Sequence, residues 1–257
     1  MKLRTRYVEK PWGRMGLPAI FAGVPDQRIG EVWFVADEPL PLLAKYIFTS
    51  DRLSVQVHPR DEQARALGLK SGKSECWYIL DADPGSTIGL GLRREASREE
   101  LRSSALDGSI VDLIDWRPVK AGDFLYVPPG TIHAIGGGIS LLEFQQNCDV
   151  TFRLYDYGRP RQLHLDDAVA VASLTSYPDN LAKRVDPMED AILVDGPDFT
   201  LLHAHADAIQ DRRRWILPLE GTVRVGPTIV GAGECYLAEP EEIAEAEDAR
   251  IIIGAAG

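Results

Sequence analysis

Gln56, His58, Lys73 and Glu75 are the residues whose types and spacing speak first of chemistry, and all four lie between positions 53 and 78, LSVQVHPRDEQARALGLKSGKSECWY. The stretch opens in alternation. Ser54, Gln56 and His58 share one face of an expected strand and Leu53, Val55 and Val57 the other, because successive strand side chains point to opposite sides of a sheet. A short helix is expected after Pro59, over 61–68, and a Ser71-Gly72 turn then leads into a strand over 73–80. On that strand Lys73, Glu75 and Trp77 share a face. Q-x-H facing K-x-E gathers an amide oxygen, an imidazole, a carboxylate and an ammonium. Imidazole with carboxylate suits zinc or another divalent transition metal better than calcium or magnesium, which take oxygen ligands. The plain alternative is that Gln56 and His58 form the solvent face of an edge strand.

A second stretch, VKAGDFLYVPPGTIHAIGGGISLLEF over 119–144, supplies another imidazole. Gly122-Asp123 is a turn, 124–127 a strand and Pro128-Pro129-Gly130 a tight turn, whose geometry aims His133 inward from the start of the next strand.

These residues need a frame to position them, and the chain is written as short strands punctuated by Gly and Pro: around Tyr7, over 19–21, over 29–36 and over 43–48. Such spacing is typical of an all-β sandwich or barrel. Trp12 and Trp33 are expected as core or rim aromatics, while Glu31 and Lys45, in strand-like segments, are candidates to line a pocket. After a strand over 86–92, Ser97 and Glu100 have capping-box spacing for a helix ending before Asp107, and 110–116 reads as a further short helix. A helix over 167–174, with Asp166 as its expected N-cap, links to a second set of strands between 192 and 253.

Composition narrows the function classes. The chain has 257 residues, 45% hydrophobic and 26% charged, which is ordinary globular material. Its net charge of −11 comes without any basic block, so the electrostatic footprint of nucleic-acid or anionic-membrane binding is missing. An acidic chain that handles a phosphate must build a local basic pocket. Three scattered cysteines, Cys76, Cys148 and Cys235, argue against a disulfide framework and for reduced thiols. With no signal-peptide core and no membrane-length apolar run, a cytoplasmic protein is expected.

The spacing of Gly122, Pro128, Gly130 and His133 resembles the second conserved motif of the cupin jelly-roll superfamily. More specifically, LSVQVHPRDE, GKSECWYIL, VPPGTIHAIGGG and LLEFQQNCDVTFRLYDYGR, in that order, resemble the type I mannose-6-phosphate isomerases of the short bacterial branch, over roughly 10–174. The resemblance implies an all-β fold, a double cupin jelly-roll with short helical insertions and a linking helix. Its expected parts are a metal-binding catalytic half over 1–160 with a helical insertion near 97–116, a helical linker over 161–185, and a smaller half over 186–257. GAGECYLAEPEEI in the second half keeps the Gly-x5-Pro outline but lacks the histidine, so that half is expected to be metal-free, with His203 and His205 in rim or core roles.

The same resemblance implies a metal shell of Gln56, His58, Glu75 and His133 holding one zinc, or another divalent transition metal, per chain. It implies a catalytic Arg153 and pocket roles for Lys73 and Ser54. Phosphate contacts are sought at Lys45 and Arg153. The implied activity is a zinc-dependent interconversion of mannose 6-phosphate and fructose 6-phosphate by proton transfer through an enediol. The alternatives are the same chemistry on another free or phosphorylated sugar, or a metal cupin that binds sugar without turnover. The partner is a small-molecule sugar phosphate, and the chain a monomer or small homo-oligomer. Such a reaction needs a base near C1 and C2 and a stabiliser of the developing oxyanion. Lys73 is a candidate proton carrier and a metal-bound water the alternative, while Arg153, whose guanidinium stays protonated, does electrostatic and positioning work. His164 is read as a packing or capping residue, Cys76 as core, and Asp149, Asp156 and Arg159 as a charged rim.

Overall fold

The alternation at residues 53–58 is realised in the strand Val55–Val57, whose two valines are buried and whose glutamine between them is half-buried. This is seen in a computed structural model that describes residues 1–21 and 27–257. Two compact units make up the chain, and neither is continuous in sequence: residues 48–141 with 145–183 form one, and residues 1–47, 142–144 and 184–257 the other.

The unit containing Gln56 is built on a five-stranded sheet, in the order Phe152–Tyr155, Val55–Val57, His133–Ile135, Thr87–Leu92 and Ile114–Pro118. Its antiparallel register sets Arg153 opposite Gln56, Gln56 opposite His133, and His133 opposite Leu90. Residues directly opposite in neighbouring strands share a face, so this row is a single line of side chains across the sheet. The other face is apolar. Val55, Val57, Ala134, Phe152 and Leu154 pack there with Leu101, Ala105, Ile110, Ala168 and Val169 of three helices. Each fully buried Val, Leu, Ile or Phe contributes about 1.5–3 kcal/mol, so burying this face fixes the register that lines up the polar row.

The helices obey local signals where these are strong. In Arg98–Asp107, Ser97 Oγ accepts from the Glu100 N–H at 3.1 Å, the serine half of the expected capping box, while the Glu100 carboxylate accepts from Arg94 instead of the Ser97 N–H, and the helix ends at Gly108 with φ 86°. A β-carbon at Gly108 would lie 2.9 Å from the Tyr155 hydroxyl, so the turn needs glycine for both conformation and space. Where signals were weaker the structure differs. Only Ile110–Leu113 is helical, and Ile114–Pro118 is a strand paired to Thr87–Leu92, because sheet pairing outweighs the short helical spacing. Ala19–Phe21 is a single 3-10 turn, not a strand. The linking helix is Leu165–Val171, begun after His164 and not at Asp166.

The second unit pairs Arg4–Arg14 with Ile29–Val35 and Ile29–Val35 with Leu42–Phe48. It also contains a sheet ordered Ala191–Asp195, Phe199–Ala204, Ala244–Ala256, Arg214–Val225 and Thr228–Gly231. The two strands expected near 215–219 and 222–225 are one continuous strand, Arg214–Val225. Its register against Ala244–Ala256 slips around Glu220, and Gly221 absorbs the irregularity at φ 68°. Arg214 is fully buried. Its guanidinium pairs with Asp207 and donates to the carbonyls of Glu239 and Glu242 at 2.9 and 2.7 Å, which satisfies the charge without water.

Candidate metal and substrate site

His58, Glu75 and His133 are each at most 2% exposed, and their ligand atoms all lie within 4.8 Å of one another. Three loops and strand ends bring them together. His58 follows the end of Val55–Val57, Glu75 opens the strand Glu75–Ala82, and His133 opens its strand straight after the Pro-Pro-Gly turn. The loop delivering Glu75 is pinned by Asp61, whose Oδ1 accepts from the Gly72 N–H at 2.8 Å and from Gln146 Nε2 at 3.2 Å. The Gly72 bond is also the main reason the Asp61 carboxyl is held below its ordinary pKa.

The separations are short enough for His58, Glu75 and His133 to reach one small cation. His58 Nε2 is 3.5 Å from Glu75 Oε2, His133 Nε2 is 3.3 Å from Glu75 Oε1, and Gln56 Nε2 is 3.2 Å from His133 Nε2. Ligand atoms at the corners of a tetrahedron with metal bonds of about 2.0–2.1 Å stand about 3.3–3.4 Å apart. Tautomers agree as well. His58 Nδ1 is 2.7 Å from the Val150 carbonyl and His133 Nδ1 is 2.9 Å from the Thr131 carbonyl. A carbonyl only accepts, so each Nδ1 carries the proton and each Nε2 presents its lone pair toward Glu75, the orientation that outer-shell partners impose on metal-binding histidines. Trp77 closes the site edge-on against His133, with ring centroids 5.4 Å apart. Gln56 Oε1 accepts from Ser54 Oγ at 3.1 Å. Turning the amide over would give its oxygen to the ligand cluster and its NH2 to Ser54 Oγ, which accepts as readily as it donates.

Lys73 is buried inside the same cluster, its Nζ 2.6 Å from Glu75 Oε2 and 3.3 Å from His58 Nε2. Arg153 stands beside Gln56 in the cross-strand row, with its guanidinium half-buried. Burial first, and the neighbouring Arg161 charge second, lower its pKa from the ordinary guanidinium value. Residues 162–164 hold it at three points. Arg153 Nη1 donates to the Gln162 carbonyl at 2.7 Å, the Arg153 N–H donates to His164 Nδ1 at 3.2 Å, and the Arg153 carbonyl accepts from the His164 N–H at 2.8 Å. Helix initiation at His164 uses no side-chain cap, so its ring serves Arg153 instead. The sequence gives no sign of this, since the contact depends on the strand and the helix entry lying side by side.

Lys45 belongs to the other unit, where its Nζ lies 3.1 Å from Glu143 Oε1 and 3.5 Å from Glu31 Oε1. In that unit His203 is fully buried with Nδ1 on the Glu189 carbonyl at 3.0 Å, and His205 Nδ1 meets Asp190 at 2.8 Å. Asp156 is not a rim residue. It is 2% exposed, and Arg159 and Arg161 close over it.

An antiparallel β fold with a buried His/Glu/His cluster that could hold a metal ion, and an arginine in register beside it, is of the cupin-like β-sandwich class. No family model matches the sequence. A mannose-6-phosphate isomerase from Streptococcus mutans is 34% identical, with 77% of this chain and 76% of the relative covered. The chain belongs to the mannose-6-phosphate isomerase family. The crystal structure of the mannose 6-phosphate isomerase from Bacillus subtilis superposes with a TM-score of 0.85 at 25% identity, covering 99% of this chain and 98% of that one. A zinc-bound mannose 6-phosphate isomerase shares the fold, with a TM-score of 0.75 at 14% identity, covering 99% of this chain and 98% of that one. Among the described residues no helix is long and apolar enough to cross a membrane.

Proposed function

We propose that this enzyme interconverts mannose 6-phosphate and fructose 6-phosphate, using one zinc ion per chain held by His58, Glu75 and His133, with Gln56 completing the shell. The observation that carries this is the buried cluster of His58, Glu75 and His133, whose ligand atoms lie within 4.8 Å of one another while both histidine Nδ1 atoms are tied to carbonyls and both Nε2 atoms face Glu75. Family membership supplies the substrate class. A bound zinc ion would contribute Lewis-acid charge at the sugar carbonyl and hydroxyl oxygens, lowering the cost of negative charge there.

The chain's own residues do the rest. Converting the aldose to the ketose removes the proton from C2 and returns one to C1, while the O2 proton is given up and O1 gains one. Arg153, tied by residues 162–164, offers a fixed donor fork to the sugar oxygens as charge grows on them. Lys73 lies next to the ligand cluster and is assigned to hold or carry the proton moving between C1 and C2 or between O1 and O2. Ser54 steadies the Gln56 amide. Burial of the cluster excludes water and so protects the enediol from losing its proton to solvent.

The test is a coupled assay of zinc-loaded protein on mannose 6-phosphate, with free mannose and other hexose phosphates as competitors. Turnover of mannose 6-phosphate with a marked preference over free mannose supports the assignment. A protein that turns over free sugars equally well points to a different substrate, and one that binds sugar but never converts it ends the enzymatic proposal.

A further inference from the structure

Ile139–Gln146, the strand beside Glu75–Ala82 in its sheet, carries at position 145 an amide that no core requires. Two bonds at its end set the register. The Gln146 N–H donates to the Ser74 carbonyl at 3.0 Å, and the Ser74 N–H donates to Gln146 Oε1 at 2.8 Å. At the other end the Asp83 N–H donates to the Gly138 carbonyl at 2.8 Å, so the two strands run antiparallel. With Gln146 opposite Ser74, Gln145 stands opposite Glu75. Directly opposite residues share a face, with β-carbons about 4.5–5.5 Å apart, so Gln145 lies on the side of the sheet from which Glu75 meets His58 and His133.

The orientation of this amide is fixed. Gln145 Nε2 donates to the Gln146 carbonyl at 2.8 Å and to the Cys148 carbonyl at 3.1 Å, and a carbonyl only accepts, so NH2 and oxygen cannot be exchanged. Both donors are spent on the main chain. Gln145 is 2% exposed, and its Oε1 is buried with no hydrogen-bond partner among the described residues. A buried acceptor without a donor is costly, and an apolar side chain of the same length would fill the space without that cost. The tethering carbonyls belong to the segment that leads on to Val150, whose own carbonyl orients His58. Gln145 is therefore tied to the chain that aims one metal ligand and paired with the strand that carries another.

A sugar brings hydroxyl donors to such a place. Its oxygens on C1 and C2 are those that the metal cluster and Arg153 serve, and the next donor along the carbon chain is the hydroxyl on C3. We propose that Gln145 is a specificity-determining residue whose Oε1 accepts the C3 hydroxyl of the bound sugar, so that the site selects a ligand with a hydrogen-bond donor at that carbon. The identity of the sugar rests on the isomerase proposal, whereas the oriented acceptor beside Glu75 does not.

The experiment titrates zinc-loaded full-length protein calorimetrically with mannitol 6-phosphate, which has the hydroxyls of the substrate but no carbonyl to isomerise, and with its 3-deoxy analogue. Wild type should bind the 3-deoxy polyol about tenfold more weakly, because the buried oxygen is then left without its donor. Gln145→Met, similar in length and without hydrogen-bonding groups of comparable strength, should bind mannitol 6-phosphate about tenfold more weakly than wild type and no longer distinguish the two polyols. Its zinc content by elemental analysis should be unchanged, which separates a lost sugar contact from a damaged metal shell. The two-ligand comparison on wild type needs no variant to fold. In kinetics Gln145→Met should lower kcat/KM for mannose 6-phosphate about tenfold. Polyol discrimination that depends on Gln145 in a protein inactive on mannose 6-phosphate supports the contact and sinks only the isomerase assignment. Equal binding of both polyols by wild type, binding of neither, discrimination retained in Gln145→Met, or loss of zinc in that variant overturns the role of Gln145.

Discussion

Replacing His164 with alanine tests whether the loop at residues 162–164 exists to aim Arg153. The ring Nδ1 accepts the Arg153 N–H at 3.2 Å, while the main-chain bond from the His164 N–H to the Arg153 carbonyl and the Arg153 Nη1 bond to Gln162 survive the substitution. One of three restraints is lost. The net contribution of the bond is about 0.5–1.5 kcal/mol, and leaving the Arg153 N–H unsatisfied costs about 1–3 kcal/mol. If the 1–3 kcal/mol is felt at the transition state, kcat falls roughly 5- to 160-fold, since about 1.36 kcal/mol is tenfold. His164→Asn keeps an acceptor on a shorter side chain and should recover part of the loss. The assay is steady-state kinetics on mannose 6-phosphate with thermal unfolding in parallel, combined in a double-mutant cycle with Arg153→Lys. Coupling requires the His164→Ala effect on kcat to shrink in the Arg153→Lys background. A full-sized effect there, or a lower Tm with kcat untouched, refutes the idea that His164 works through Arg153. The pH dependence has a definite sign. Burial, followed by the Arg153 charge, lowers the His164 pKa from 6.5, so the unfolded chain binds the proton more readily than the folded one. This residue's contribution to stability is complete above about 6.5, shrinks as pH falls toward the lowered value, and the slope should vanish in His164→Ala.

His58→Ala and His133→Ala should each abolish tight zinc binding measured by elemental analysis, while His203→Gln with His205→Gln keeps about one equivalent per chain; retention of zinc in either alanine variant refutes the assigned shell. Arg153→Lys should lower kcat by roughly 100-fold or more with metal content unchanged, because the ammonium keeps the charge but loses the planar fork. Lys73→Met should lower kcat more than it raises KM, whereas a lysine that only attracts the phosphate would show the reverse split. Gly221→Ala should destabilise the protein by about 1–3 kcal/mol in denaturant titration, since the residue sits at φ 68° and a β-carbon would lie 2.3 Å from the Asp248 carbonyl oxygen. An unchanged midpoint would show that the bulge relaxes freely.

Residue order alone determined much of this protein. Alternation in LSVQVHP placed Gln56 opposite in direction to Val55 and Val57, the Pro-Pro-Gly turn placed His133 at a strand start, and Ser97 with Glu100 marked a helix start, because each depends on backbone geometry within a few residues. The all-β class follows from the same local punctuation. Tertiary structure decided what those signals could not carry. Residues 114–118 became a strand because Thr87–Leu92, paired to His133–Ile135 on one edge, offered on its other edge a ladder of hydrogen bonds stronger than a weak helical spacing. Residues 1–47 were grouped with 184–257 in one compact unit by contacts far apart in sequence, against the colinear halves that chain order suggests. Asp156, which reads as a solvated charge, was buried beneath the half-exposed Arg159 and Arg161, and His164 was turned onto the backbone of Arg153. Burial and partner choice for a charged side chain depend on what packs over it, and that is a property of the folded sheet and not of the neighbouring residues in the chain.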